Sequence, residues 1–154
     1  MPLSKLTLIA LLSLATTVVA QETEKKIQRA DLPPAVEKTV AAQTQGATIK
    51  GFSQEKEKGQ TYYEAETTVA GHTKDILIDA NGAVVEIEEQ VALDSLPAAV
   101  KTALQAKAGD GKILKVESLT KHGTLVAYEA KVQTAGKKKE IQVGPNGQPL
   151  DHEE

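Results

Sequence analysis

The sequence predicts an α+β fold of two tandem repeats, each a helix followed by an antiparallel sheet (α-β-β-β with a short return strand). Three observations predict it. Leu32-Pro33-Pro34-Ala35-Val36 is echoed by Leu96-Pro97-Ala98-Ala99-Val100. Tyr63-Glu64-Ala65 is echoed by Tyr128-Glu129-Ala130, and Asn81-Gly82 by Asn146-Gly147. The offset is 64 residues at the first pair and 65 at the other two, so one residue is gained between the copies.

The elements follow in order. Asp31 stands where a helix cap is needed, and proline in the first turn costs no hydrogen bond there. Leu32, Val36 and Val40 recur every four residues and form an apolar stripe, with Gly46 as the stop. The second helix repeats the device. Asp94 or Ser95 is the cap, Pro97 opens the first turn, Leu96, Val100 and Leu104 form the stripe, and Gly109-Asp110-Gly111 ends it. Strands follow each helix. In the first copy these are 47–54, then 62–69 with Tyr63, Ala65 and Thr67 on one face and Glu64 and Glu66 on the other, then 74–79. Asn81-Gly82 is a strong hairpin signal because both residues tolerate positive φ, and it leads into a short return strand at 84–88. The second copy offers strands at 112–119, 125–133 and 138–143. Its Asn146-Gly147 leads into Pro149-Leu150 and a polar tail.

The division expected is a signal peptide at 1–20, a flexible leader at 21–30, repeats at 31–92 and 93–151, and a polar tail at 152–154. Lys5, the short apolar run 6–15 and Val18-Val19-Ala20 have the character of a cleavable export signal. The run is too short for a comfortable membrane span, so no stable span is expected after cleavage, and the location implied is periplasmic or secreted. The chain has no cysteine, so an exported protein must fold on its core alone. Removing twenty of the 154 residues leaves 134, enough for one core, whereas a single copy would be marginal.

The charge balance is 18 basic against 21 acidic residues, which gives no footprint for nucleic acid. There is no tryptophan and Arg29 is the only arginine, so the usual anchors of tight interfaces are scarce.

The ordered set of motifs resembles the PepSY and PepSY-like family of extracytoplasmic domains, including the β-lactamase-inhibitor-like tandem form. The quoted motifs are the two Leu-Pro-x-Ala-Val openings, the two Tyr-Glu-Ala centres, Gly71 and Gly136, and the closing turns at 79–82 and 144–147. They span roughly residues 30–151. The second copy departs from the pattern with Gly144 where the first has Asp79. The resemblance implies an exported, non-enzymatic binding module that regulates or inhibits a peptidase or binds another envelope protein. The inhibitor with this architecture uses disulfides and an aromatic-rich concave face, and this chain has neither.

The candidate binding residues are Tyr63, Glu64, Glu66 and His72 in the first copy, and Tyr128, Glu129, Lys131, Lys137, Lys138 and Lys139 in the second. Each has a plainer reading. The tyrosines suit the sheet centre beneath a helix. The three lysines protect an edge strand as well as they would dock an anionic partner. Glu86, Glu88 and Glu89 form an acidic patch that serves equally as a solvated face. His72 and His122 fall in expected turns, and no short-spaced histidine pair suggests a zinc site. The segment 79–82 begins like a calcium loop but lacks the downstream glutamate, so it reads as a hairpin. The tail 151–154 could hold a metal weakly or simply fray. No catalytic set, cofactor site or metal site is predicted, and a protein or peptide partner is. Two further readings remain: a small-ligand or metal-ion sensor, and a structural protein of the envelope.

Cleavage after Ala20 should leave Gln21 as the N-terminal residue in the native host. Intact-mass spectrometry checks this, and a dominant species that retains Met1 would overturn the export reading.

Overall fold

The computed structural model describes residues 23–152 and 154. The expected signal at 1–20 and the first two residues of the expected leader lie outside that range. Strand β1 (Thr23–Ile27) leads through a 3-10 turn at Arg29–Asp31 into helix α1 (Pro34–Gln43). Strands β2 (Thr48–Glu57), β3 (Gln60–Val69), β4 (His72–Asp79) and β5 (Val84–Gln90) follow. A second 3-10 turn, Leu93–Ser95, precedes helix α2 (Ala98–Ala108) and strands β6 (Lys112–Lys121), β7 (Thr124–Thr134) and β8 (Lys137–Val143). All eight strands join one antiparallel sheet in sequence order.

Two parts of the sequence reading are corrected here. The stretch read as a flexible leader carries β1, which pairs with β2 from Thr23↔Lys56 to Ile27↔Phe52. Its charged sequence has no apolar period, yet Ile27 packs against the core beside Phe52. The short return strand is also more than that. β5 pairs with β4 on one side and with β6 on the other, so it joins the two halves into a continuous sheet. Among the described residues no strand follows Val143, so the second half has no counterpart of β5.

Both helices lie on one face. The stripes Leu32, Val36, Val40 and Leu96, Val100, Leu104 are buried. The first packs on Phe52, Tyr63, Ala65, Ile76 and Ile78, and the second on Val116, Ala130, Val132, Ile141 and Val143. Register shows that these two cores share a side. Ile87 of β5 packs on the first core and Val91, just past the end of β5, on the second, and their even spacing along the extended chain puts both side chains on one face.

The helix starts differ from the sequence reading. Pro33 and Pro97 occupy the cap positions and neither helix has a side-chain cap. Asp31 instead serves the 3-10 turn, where its Oδ2 accepts the Gln28 N–H at 2.8 Å. The first turn of α1 is held by Arg29, whose guanidinium donates to both oxygens of Glu37 at 2.7–3.1 Å. In α2 the charges are exchanged, with Lys101 bonded to Asp94. Gly109 does end α2 as expected, at φ 58°.

The Asn-Gly turns clamp the helices. Only the glycine of each pair takes positive φ, 87° at Gly82 and 79° at Gly147. Asp79 Oδ1 accepts the N–H groups of Asn81 and Ala83, both at 2.9 Å, which sets the first turn. Gly144 replaces that aspartate in the second turn, and Gln148 takes over its task. The Gln148 side chain fills the space beside Gly144, and its Oε1 accepts the Asn146 N–H at 3.0 Å. Each turn then presses on the helix opening. A Cβ on Gly82 would lie 2.7 Å from the Ala35 carbonyl oxygen, and one on Gly147 would lie 2.6 Å from that of Ala99.

Gly82→Ala and Gly147→Ala should each destabilise the protein by at least about 2 kcal/mol, combining the left-handed backbone cost with overpacking against backbone. Urea unfolding midpoints check this. An unchanged midpoint in either variant would show that the turn does not bear on its helix.

Candidate functional site

The sheet face opposite the helices is covered by no secondary-structure element among the described residues. Its side chains form rows across the strands. One row runs Ser53, Glu64, Leu77, Glu86, Lys121. The next runs Glu66, Asp75, Glu88, Leu119, Ala127. A third runs Gln90, Glu117, Glu129, Gln142, and beyond it lie Lys115, Lys131 and Glu140. Carboxylates dominate the middle, and lysines stand at the margins.

Burial and crowding govern the protonation of these groups. Glu88 is pushed up to about 8, first by burial and then by the charges of Glu117, Glu129, Glu86 and Asp75. Burial also raises Glu64, although the Ser53 hydroxyl donates to it at 2.8 Å and pulls the other way. Asp75 is raised by burial despite an N–H from Thr67 at 3.3 Å. Glu129 is raised by burial against a 2.9 Å hydrogen bond from the Gln142 amide. Glu117 is the most deeply buried, at 2 % exposure, and has its own cation. Lys115 Nζ lies 2.5 Å away, Lys131 stands 3.9 Å off, and the Thr73 hydroxyl donates at 3.4 Å. Glu88 has no hydrogen bond or ion pair of this kind among the described residues.

Two sets of carboxylates converge, with ligand atoms within 4.8 Å: Glu24, Glu64 and Glu66, and Asp75, Glu88 and Glu117. Lys26 already bonds Glu24 and Glu66 in the first set. The Lys115 pair satisfies Glu117 in the second.

The face also carries a groove. Glu55, Glu64, Asp75, Leu77, Glu86 and Glu88 line a hollow of about 140 Å³. It continues past Leu77 and Glu86 into a larger hollow of about 450 Å³, walled by Tyr62, Val85, Lys121 and His122 among others. Val85 reaches that wall because the β4–β5 register shifts between Leu77 and Ile78.

The candidates from the sequence are distributed unevenly. Glu64, Glu66, Glu129 and Lys131 lie on the open face. Tyr63 and Tyr128 lie on the helix side. Tyr63 is buried beneath α1, with its hydroxyl accepting from Gln54 at 3.3 Å, and Tyr128 packs on the second core. His72 is exposed and opens β4 opposite Val69, one position past the turn assigned to it. Lys137, Lys138 and Lys139 are exposed on edge strand β8, away from the carboxylates. The acidic patch divides: Glu86 and Glu88 face the groove, and Glu89 pairs with Lys74 and Ser118 on the helix side. The tail is not simply frayed, because the Glu154 N–H donates to Gln142 Oε1 at 2.8 Å and its carboxylate lies 3.7 Å from Lys121. Asp75, Leu77 and Glu117 were missed as site residues. Their signal is cross-strand register, which single-strand alternation does not carry.

A carboxyl whose folded pKa lies above its unfolded value favours folding only while protonated. Its contribution is full below about pH 4.3 and is lost as pH rises through about 8. Glu88→Gln should therefore gain stability over the parent as pH rises, on the order of 1–3 kcal/mol at about pH 9 after allowance for partial solvent screening, and gain little at about pH 4. Denaturant midpoints at the two pH values check this, and a difference independent of pH would refute the protonation assignment.

No sequence-family model matches the chain, and no curated protein does. Solved structures do. The chain is similar to a BLIP-like protein of Bacteroides fragilis at 24% identity and TM-score 0.57, covering 77% of this chain and 83% of that one. A DUF2874 family protein of Bacteroides ovatus is 21% identical at TM-score 0.61, with 78% and 85% covered. A Bacteroides eggerthii protein, provisionally named as periplasmic, is 21% identical at TM-score 0.62, with 76% and 84% covered. These likenesses show a shared fold: the chain has the α+β, BLIP-like architecture of one antiparallel sheet carrying two helices on one side.

Proposed function

We propose that this chain is an exported, non-enzymatic binding module of PepSY-like tandem type, and that it holds a protein partner on its open sheet face. The observation that carries this reading is the asymmetry of the sheet. Both helices and both apolar cores occupy one side, and the other presents rows of polar side chains around a groove. A sheet of eight strands offers a broad, stiff platform whose backbone is already satisfied by neighbouring strands, so contacts are made by side chains. No helix among the described residues is long and apolar enough to cross a membrane. The PepSY-like resemblance supplies the setting, regulation of a peptidase or attachment to another envelope protein, and the signal-like segment supplies export.

Of the sequence candidates, Glu64, Glu66, Glu129 and Lys131 are positioned for such contacts. Tyr63 and Tyr128 support the sheet from beneath. Lys137, Lys138 and Lys139 shield an edge strand that would otherwise invite pairing with other chains. A second reading, a metal-ion sensor, draws on the convergence of Asp75, Glu88 and Glu117. The ammonium of Lys115 already against Glu117 weighs against it.

Affinity capture from an extracytoplasmic extract tests the main reading. Reversing charge on the open face with Glu64→Lys and Glu86→Lys should remove the captured partner. Lys38→Glu, which changes α1 away from that face, should leave it. Capture that survives the face reversal, or no specific capture at all, would sink the reading.

A further inference from the structure

The groove has a two-part chemistry that narrows the class of partner. Its narrow end is acidic. Glu64, Asp75 and Glu88 stand there on three adjacent strands, with Glu86 beside them. Leu77 interrupts the carboxylates, because it pairs with Glu64 on one side and Glu86 on the other. Its wide end adds Tyr62 and Val85 to Leu77 as an apolar strip, flanked by carboxylates and by Lys58, Lys121 and His122. We propose that this groove docks an extended segment of the protein partner carrying a lysine or arginine next to an apolar side chain. This rests on the binding-module reading and states what its partner must present.

Charge complementarity favours a cationic side chain, and the placement of Leu77 favours one on an apolar stem. A bare hydrated cation is best served by oxygen ligands on every side. A lysine or arginine stem lies along an apolar surface while its charged head reaches carboxylates. Leu77 between Glu64 and Glu86 offers that combination. The apolar strip beyond Leu77 then receives the neighbouring side chain. Phosphate-bearing partners are repelled by the same carboxylates.

The crowding of the face adds a consequence. Glu88 is flanked by Asp75 on β4, by Glu86 on its own strand and by Glu117 on β6, with Glu129 beyond. The cations near it are committed elsewhere, Lys115 to Glu117, Lys121 to Glu86 and Glu154, and Lys131 to Glu117 and Glu140. Glu88 therefore keeps its proton near neutrality in the free protein. An arriving ammonium or guanidinium favours the ionised form, so docking releases a proton from the Glu88 carboxyl to solvent. Affinity for the cationic segment then rises as pH increases through about 8.

The test uses the exported protein, isotope-labelled, and three probes: the blocked peptide acetyl-Val-Lys-Leu-Lys-Val-amide, its counterpart with glutamine at both lysines, and calcium chloride. The lysine peptide should move the amide resonances of Glu64, Leu77 and Glu88 saturably, and the glutamine peptide should bind roughly ten-fold more weakly. Calorimetry near pH 7 in buffers of different ionisation enthalpy should show proton release on binding the lysine peptide, and Glu88→Gln should abolish that release. Equal binding of the two peptides would overturn the proposal. So would saturable shifts with calcium chloride in the absence of any with the lysine peptide, or no shift at these residues with either peptide. If partner capture is lost on reversing Glu64 and Glu86 while the lysine peptide does not bind, this inference fails and the binding-module reading stands.

Discussion

The pairing of β5 with β6 is the interaction on which the rest of the molecule depends. Five residue pairs, from Glu86↔Lys121 to Gln90↔Glu117, join strands that belong to different halves of the chain. The ladder continues through the Val91 N–H, which donates to the Val116 carbonyl at 2.9 Å. Without it there would be two small sheets, each with an extra exposed edge and a core of modest size. With it, among the described residues, the one sheet has β1 and β8 as its edges. The same ladder completes the wide end of the groove, because it sets Lys121 of β6 beside Glu86 of β5.

That continuity has an electrostatic cost which the protein distributes unequally. Aligning eight strands brings carboxylates from every one of them, Glu24 on β1 and Glu55 on β2 included, onto one open face. Glu117 is stabilised by Lys115 and Lys131, an arrangement that satisfies a deeply buried charge. Glu66 is matched by Lys26 from the edge strand β1. Glu88, near the centre, has no such partner among the described residues and is relieved by protonation instead.

The two halves also show how different residues reach one geometry. Both closing turns press on the backbone of a helix opening, and both need glycine at that contact. The first organises its turn through Asp79 and the second through Gln148, with Gly144 vacating the space. Likewise Arg29–Glu37 and Lys101–Asp94 tie each helix start to the segment before it with the charges exchanged. What is common to the halves is the shape demanded of the backbone, and the side chains that satisfy it differ.

The sequence by itself determined the helices and most strands. Val36, Val40, Val100 and Leu104 recur at helical spacing, and Tyr63, Ala65 and Thr67 alternate at strand spacing, so each buried face is encoded by local periodicity. The glycine turns were legible for the same reason, since positive φ is a local demand. Tertiary structure alone decided three things. Charged Thr23–Ile27 became a strand because β2 offered an unpaired edge and Ile27 a place beside Phe52. Asp31 was drawn from the helix to the 3-10 turn by the Gln28 N–H. The groove formed because register across β3, β4 and β5 brings Glu64, Asp75, Leu77 and Glu88 together, and register between strands depends on hydrogen bonds and bulges that no single segment contains.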